Sequence, residues 1–346
     1  MTRVTTRRPL SAQRVLRLGG LSVRLAPRGL AAGIGLLAAG TVIALLAIGT
    51  GDFPIPPSGV VAALLGRGTP AEEFIVGTLR APRVVTGLLV GAAFGLSGAL
   101  FQSITRNPLG SPDFLGLAAG AATGGILASV SGGTPWQVAM AALAGCAAAA
   151  ALVHLLAYRH GGTGYRLVGI GVAAILTAVD SYLLTRADLY DAATAAAWLT
   201  GSLSGRTWAH AALVAAALAV LAPVCAAVSR PLRLMEMGDD AAGAMGVRVE
   251  RVRLAAVAAA VGLCGAATAA AGPVAFLALC APQLARRLTG SPGVTLTASA
   301  LMGAVLLVAA DLAAQRLLAP VQFPVGVMTA LLGGAYLVFM LRRERR

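Results

Sequence analysis

The feature that most constrains this chain is a stretch of about 22 residues, 84–105, without a charged side chain. At 1.5 Å per residue a helix of that length crosses a bilayer core of roughly 30 Å. It is apolar and glycine-rich on every side, so it must be buried on every side. Two arginines three residues apart, Arg80 and Arg83, precede it. A polar turn, Arg106-Asn107-Pro108-Leu109, closes it, and another apolar run begins at once. The pattern predicts a membrane helix with a positive entrance and a hinge-like exit.

The remainder of the chain agrees. Hydrophobic residues make up 58% and charged residues 12%, which is a membrane composition. A net charge of +14 raises the possibility of nucleic acid, but the basic residues punctuate the ends of apolar runs and form no soluble patch. All 27 basic residues are arginine. Without lysine there is no Walker A phosphate loop and no Schiff-base chemistry, so an ATP-driven function needs a second subunit. Cys146, Cys225, Cys264 and Cys280 fall inside apolar runs at unrelated spacings, as core residues do. His154, His160 and His210 form no cluster, so no metal, cofactor or catalytic site is expected.

Taken in order, residues 1–28 carry seven arginines and no acid, a cytoplasmic basic segment. Leu30 to Thr50 is longer than a signal-peptide core and is expected to be an uncleaved first span. Further spans are expected at about 82–104, 114–133, 136–158, 167–185, 208–228, 254–271, 273–289, 294–314 and 324–341. Residues 186–207 read as an interfacial segment, and 229–253 as a long inner loop. The expected fold is all-α and integral to the membrane, a ten-helix transmembrane domain over 29–342 with a tail at 343–346. Ten crossings place both ends on one side. The segments on that side hold 21 arginines and those opposite hold 6, so both termini are expected in the cytoplasm. Gly95-Leu96-Ser97-Gly98-Ala99 recurs as Gly262-Leu263-Cys264-Gly265-Ala266, 167 positions on. Five spans per half would make this an inverted repeat, with chance recurrence in an Ala/Gly/Leu-rich chain as the competing explanation.

Five ordered motifs then carry a resemblance: RAPR at 80–83, RNPLGSPDFLG at 106–116, GDDAAGAMGV at 238–247, GPVAFLALCAPQLAR at 272–286 and FPVGVMTALLGG at 323–334. Together they resemble the FecCD-type permeases, membrane subunits of bacterial ABC importers for ferric siderophores, haem and cobalamin. The stretch DLAAQRLLAPVQFPVGV is most similar to the ferric-enterobactin branch. The resemblance implies a type II importer permease in the bacterial cytoplasmic membrane, built from inverted five-helix repeats and not itself an enzyme. Its implied partners are a second permease (identical or paralogous), a cytoplasmic ATPase that binds the ATP, and an extracytoplasmic substrate-binding protein.

The resemblance also assigns roles. Arg80 and Arg83 would meet acids on the binding protein, with Arg316 as a third contact displaced by one position, because Gln315 stands where the family has its arginine. Snorkelling at the interface is the competing role for that pair. Gly238, Asp239, Asp240, Met245 and Gly246 would belong to a short helix seated in the ATPase, with Met235, Met237 and Met245 adapting to a groove; an ordinary solvated loop is the alternative. Asn107 and Leu109, with the loop around Thr163, would form a cytoplasmic gate or a plain turn. Asp180, mid-span, would line the pore or bridge helices. Gly91, Gly95 and Gly98 are expected to serve close helix packing. The expected cargo is a ferric siderophore, with haem or cobalamin, or an ion-gradient transporter, as alternatives.

Overall fold

The computed structural model describes residues 14–18, 21–25, 27–112, 116–157, 161–291, 293, 295–317 and 322–344. Its helices are α1 (Pro27–Gly49), α2 (Pro57–Leu64), α3 (Pro70–Phe74), α4 (Ala81–Ile104), α5 (Leu117–Val130), α6 (Pro135–Ala157), α7 (Gly161–Arg186) and α8 (Leu189–Leu199). They continue as α9 (Trp208–Met235), α10 (Asp239–Ala244), α11 (Val249–Ala271), α12 (Leu277–Thr289), α13 (Leu296–Arg316) and α14 (Val325–Glu344). One departure from the all-α expectation lies in the basic segment. Arg14–Leu18 (β1) pairs antiparallel with Leu21–Leu25 (β2), Leu16 opposite Val23. The alternating RVLRL and LSVRL flanking Gly19-Gly20 is a hairpin pattern that reading for charge alone passes over.

Two helices form the centre. The rod Pro70–Ile104, which contains α4, and α11 are buried over 78% and 72% of their most apolar windows, against 22% for α1, 17% for α7 and 22% for α9. The outer helices therefore turn apolar faces outward, toward lipid or another chain. α4 can sit inside because its small residues admit neighbouring backbones. A Cβ added at Gly91 or Gly95 would stand 2.4 Å from Gly303 O and 2.1 Å from Ser299 O of α13, and one at Gly98 1.7 Å from Ala278 O of α12. Ser97 Oγ donates to Ala260 O of α11 at 2.7 Å. A second seam joins α5 to α6, where a Cβ at Gly124 would stand 2.1 Å from Ala141 O. Such close approach replaces a hydrophobic drive that lipid does not supply.

The rod starts on a capping box: Glu72 N donates to Thr69 Oγ1, and Thr69 N donates to Glu72 Oε2 at 2.9 Å. A π-helical turn, Ile75–Arg80, precedes Pro82. Pro82 has no N–H for the carbonyl of Thr78, and the widened turn absorbs the gap.

Among the described residues seven helices are long and apolar enough to cross a membrane, and Leu117–Val130 and Val325–Met340 are shorter apolar helices. The third and eighth expected spans are the ones that contract. α5 has 14 residues and starts after Gly116 in the left-handed region. α12 has 13 residues and starts after Phe276 at φ 62, preceded by residues 272–275 without helical structure. Conversely, α9 runs on to Met235, so the inner loop expected from 229 begins at Glu236. Pro231 does not end α9, because Leu232 and Met235 beyond it are 1% and 3% exposed in the core. Residues 189–199, expected as an interfacial stretch, are helical.

Candidate functional site

At the N-terminal end of α4 lies an open cavity of about 440 Å³ whose walls include Arg80, Arg83, Arg206, Arg316, Thr207 and Gln315. Three predicted residues therefore meet in one place. Arg80 Nη1 donates to Ile48 O and Nη2 to Phe53 O, both at 2.7 Å. It ties a carbonyl at the end of α1, one the helix leaves unpaired, to a carbonyl of the segment that follows it. Arg83 grips Asp311 of α13 through two parallel bonds, Nε to Oδ2 and Nη2 to Oδ1, each 2.9 Å. Gln315, one turn on, donates to the same carboxylate at 2.8 Å. Arg316 Nε is buried without a hydrogen-bond partner in the described chain.

Arg206 was counted in sequence only as a loop charge, yet it reaches this cavity from the segment before α9. Its Nε donates to Ser202 O at 3.2 Å. Among the described wall residues Asp52 is the sole acid, so the cavity keeps a positive field. The signal that could have found Arg206 was its membership of the six arginines on that side.

At the other end of α4 the turn is built locally. Arg106 adopts φ 49, Leu109 N donates to Asn107 Oδ1 at 2.9 Å, and Gly110 N donates to Asn107 O at 2.9 Å. Beside it lies α10, with Gly238 at φ 116 before it and Gly246 at φ 83 after it, conformations that side chains with a Cβ disfavour. Ala242 packs inward at 0% exposure, whereas Met237 and Met245 are 62% and 49% exposed. Met235, expected on that adaptable surface, is instead core. Asp240 is exposed. Asp239 accepts from Arg106 and, at 2.6 Å, from Arg253 of α11. Burial pushes its carboxyl up, but these arginines outweigh burial and hold it below the usual carboxylate range.

Thr163 stands in the first turn of α7 and not in a loop; its side chain lies outside the described residues. Asp180, on α7, is 7% exposed and accepts from Thr123 Oγ1 of α5 at 2.5 Å. It joins two helices.

The family model described as the FecCD transport family matches residues 37–343. The chain belongs to the FecCD transport family. Among curated relatives of this FecCD chain, the ferric enterobactin transport system permease protein FepG of Escherichia coli (strain K12) is 46% identical over 314 residues, covering 90% of this chain and 95% of that protein. The ferric enterobactin transport system permease protein FepD of the same organism is 35% identical, covering 90% and 94%. A solved inward-facing structure of a metal-chelate type ABC transporter superposes with a TM-score of 0.81 at 24% identity, covering 90% of this chain and 98% of that one. At that identity the likeness speaks for the fold alone.

Proposed function

We propose that this chain is the membrane permease subunit of an ATP-binding cassette importer that moves a ferric siderophore across the cytoplasmic membrane, driven by a separate ATPase subunit. The observation that carries the reading is the 46% identity to FepG across 90% of the chain. The likeness to both FepG and FepD favours a paralogous permease as the second subunit.

Ten crossings follow when α5, α12 and α14 are added to the seven long helices. The arginine bias then puts both termini and α10 in the cytoplasm and the arginine cavity outside. Helix packing supports inverted five-helix repeats. A shift of 167 positions, the separation of the two glycine motifs, carries α4 onto α11 and overlaps α6 with α13 and α7 with α14. Accordingly α4 packs on α13 as α11 packs on α6, and α5 on α6 as α12 on α13.

In this reading Arg80, Arg83 and Arg316 dock the binding protein. Arg83 already carries a counter-charge in Asp311 and Arg80 is tied to backbone carbonyls, so their part in docking rests on the guanidinium donors left over, beside those of Arg206 and Arg316. Gly238, Asp239, Asp240, Met245 and Gly246 present α10 to the ATPase, and Asn107 and Leu109, with Thr163, form the inner gate. Asp180 holds α7 to α5. The chain hydrolyses nothing itself.

The test is uptake of radiolabelled ferric enterobactin by proteoliposomes containing the permease pair, ATPase and binding protein. Uptake that requires ATP and stops with vanadate is expected. Uptake driven by a proton or sodium gradient without ATP would overturn the reading, and haem or cobalamin as the better cargo would reassign it.

A further inference from the structure

The turn that closes α4 is fastened on two sides, and the fastenings differ in kind. On one side Gln283 of α12 donates from Nε2 to Pro108 O at 2.7 Å and to Gln102 Oε1 at 2.9 Å. Gln102 Nε2 donates in turn to Leu279 O at 3.0 Å. Gln102 and Gln283 are 2% and 8% exposed. Arg286 Nη2 also donates to Gln102 Oε1, at 3.3 Å; a buried and hydrogen-bonded pair of amides is a fixed anchor, because opening it strands polar groups away from water.

On the other side the fastening is ionic and open. Arg106 pairs with Asp239, and Asp239 with Arg253; the three side chains keep 41%, 42% and 35% of their surface. Exposed pairs of this sort are weak and salt-screened. Among the described residues, Asp239 is the one polar partner recorded for the Arg106 guanidinium. The Arg106 backbone sits in the left-handed region, which a residue with a Cβ occupies only under strain. A second backbone state is therefore close in energy once the side chain lets go.

We propose that the Arg106–Asp239 pair is the releasable link through which displacement of α10 reaches the turn at 105–110, with Gln283 as the fixed point on the far side. Asp239 is the first residue of α10, so any shift of that helix pulls directly on Arg106. Pro108 stays fastened to α12, and the turn pivots about it. Arg253 retains Asp239 when Arg106 parts from it, keeping α10 attached to α11. Arg106 and Asp239 are positioning residues and touch no cargo. The inference rests on the ATPase-driven reading above.

The experiment measures uptake per ATP hydrolysed by the complete importer in proteoliposomes, with co-purification of the ATPase as the assembly control. Arg106→Gln and Asp239→Asn are each expected to lower the ratio by about fivefold, the upper reach of an exposed ion pair, with the ATPase still bound. The double variant should be no worse than the weaker single, Asp239→Glu should recover at least about half of the ratio, and Arg253→Gln should change it less than about twofold. Should Asp239→Asn lose the ATPase, Arg106→Gln, outside α10, decides the question. An unchanged ratio in Arg106→Gln, or losses that multiply in the double variant, overturns the link while leaving the permease reading intact. Failure of the unaltered importer to show ATP-dependent uptake overturns both.

Discussion

Removal of Asp311 tests whether the Arg83–Asp311 pair is a buried structural clamp. Asp311 is 3% exposed at its side chain and Arg83 16%. Both carboxylate oxygens are occupied, by Arg83 at 2.9 Å twice and by Gln315 at 2.8 Å. Asp311→Ala leaves a guanidinium with little water and no counter-charge, which costs about 3–5 kcal/mol. At roughly 1.4 °C per kcal/mol for a chain of this length, the midpoint should fall by about 4–7 °C. The double variant Arg83→Leu/Asp311→Leu removes both charges and should regain most of that loss, since an apolar pair of similar volume is often as stable as a buried ion pair. The four cysteines are all buried and none is in a disulfide, so a thiol-reactive fluorescent dye reports unfolding of purified protein directly. A fall of less than about 2 °C in Asp311→Ala would refute the clamp. A double variant as unstable as the single would refute stranded charge as the cause. The double variant also isolates docking: normal melting with lost uptake assigns Arg83 to the binding protein.

Three further outcomes follow from single contacts. Gly98→Ala forces a Cβ to within 1.7 Å of Ala278 O and should cost about 1–3 kcal/mol by prying α4 from α12, whereas Gly334→Ala, with open space around it, should melt like wild type in the same dye assay. Arg80→Lys cannot reach Ile48 O and Phe53 O with one fork and should lose about one charged hydrogen bond, roughly 1.5–3 kcal/mol; an unchanged melt would mean that α1 does not depend on it. Asp180→Asn keeps an acceptor for Thr123, so uptake should stay within about twofold; a loss of uptake at unchanged melting would move Asp180 from helix joint to pore wall.

How much of this was legible in the sequence depends on the range of the interaction. The long helices could be read because hydrophobic length and arginine spacing are local properties of the chain. The hinge at Asn107-Pro108 could be read for the same reason: proline restricts the residue before it wherever the pair lies. The shortening of α5 and α12 could not. Gly272-Pro273 marks a break in an otherwise apolar stretch, but not its length: four residues, 272–275, stay non-helical and α12 starts only after Phe276 at φ 62. The continuation of α9 past Pro231 rests on packing, a buried Leu232 and Met235 that outweigh the proline and the charges beside it.

The polar contacts separate the same way. That Arg80 and Arg83 share a helix face follows from three-residue spacing, but that Arg83 faces Asp311, 228 positions on, depends on α4 and α13 meeting along their glycines. Gly91, Gly95 and Gly303 thus do more than fill a seam: by letting two backbones nearly touch, they bring a cation and an anion from distant segments into register at one end of α4. Arg106 and Asp239 at the opposite end meet on an open surface, each side chain keeping about two-fifths of its exposure. The first pair is held by everything packed below it and the second by little beyond its own charges. A perturbation at α10 is therefore expected to move the turn at 105–110 while the arginine cavity keeps its shape.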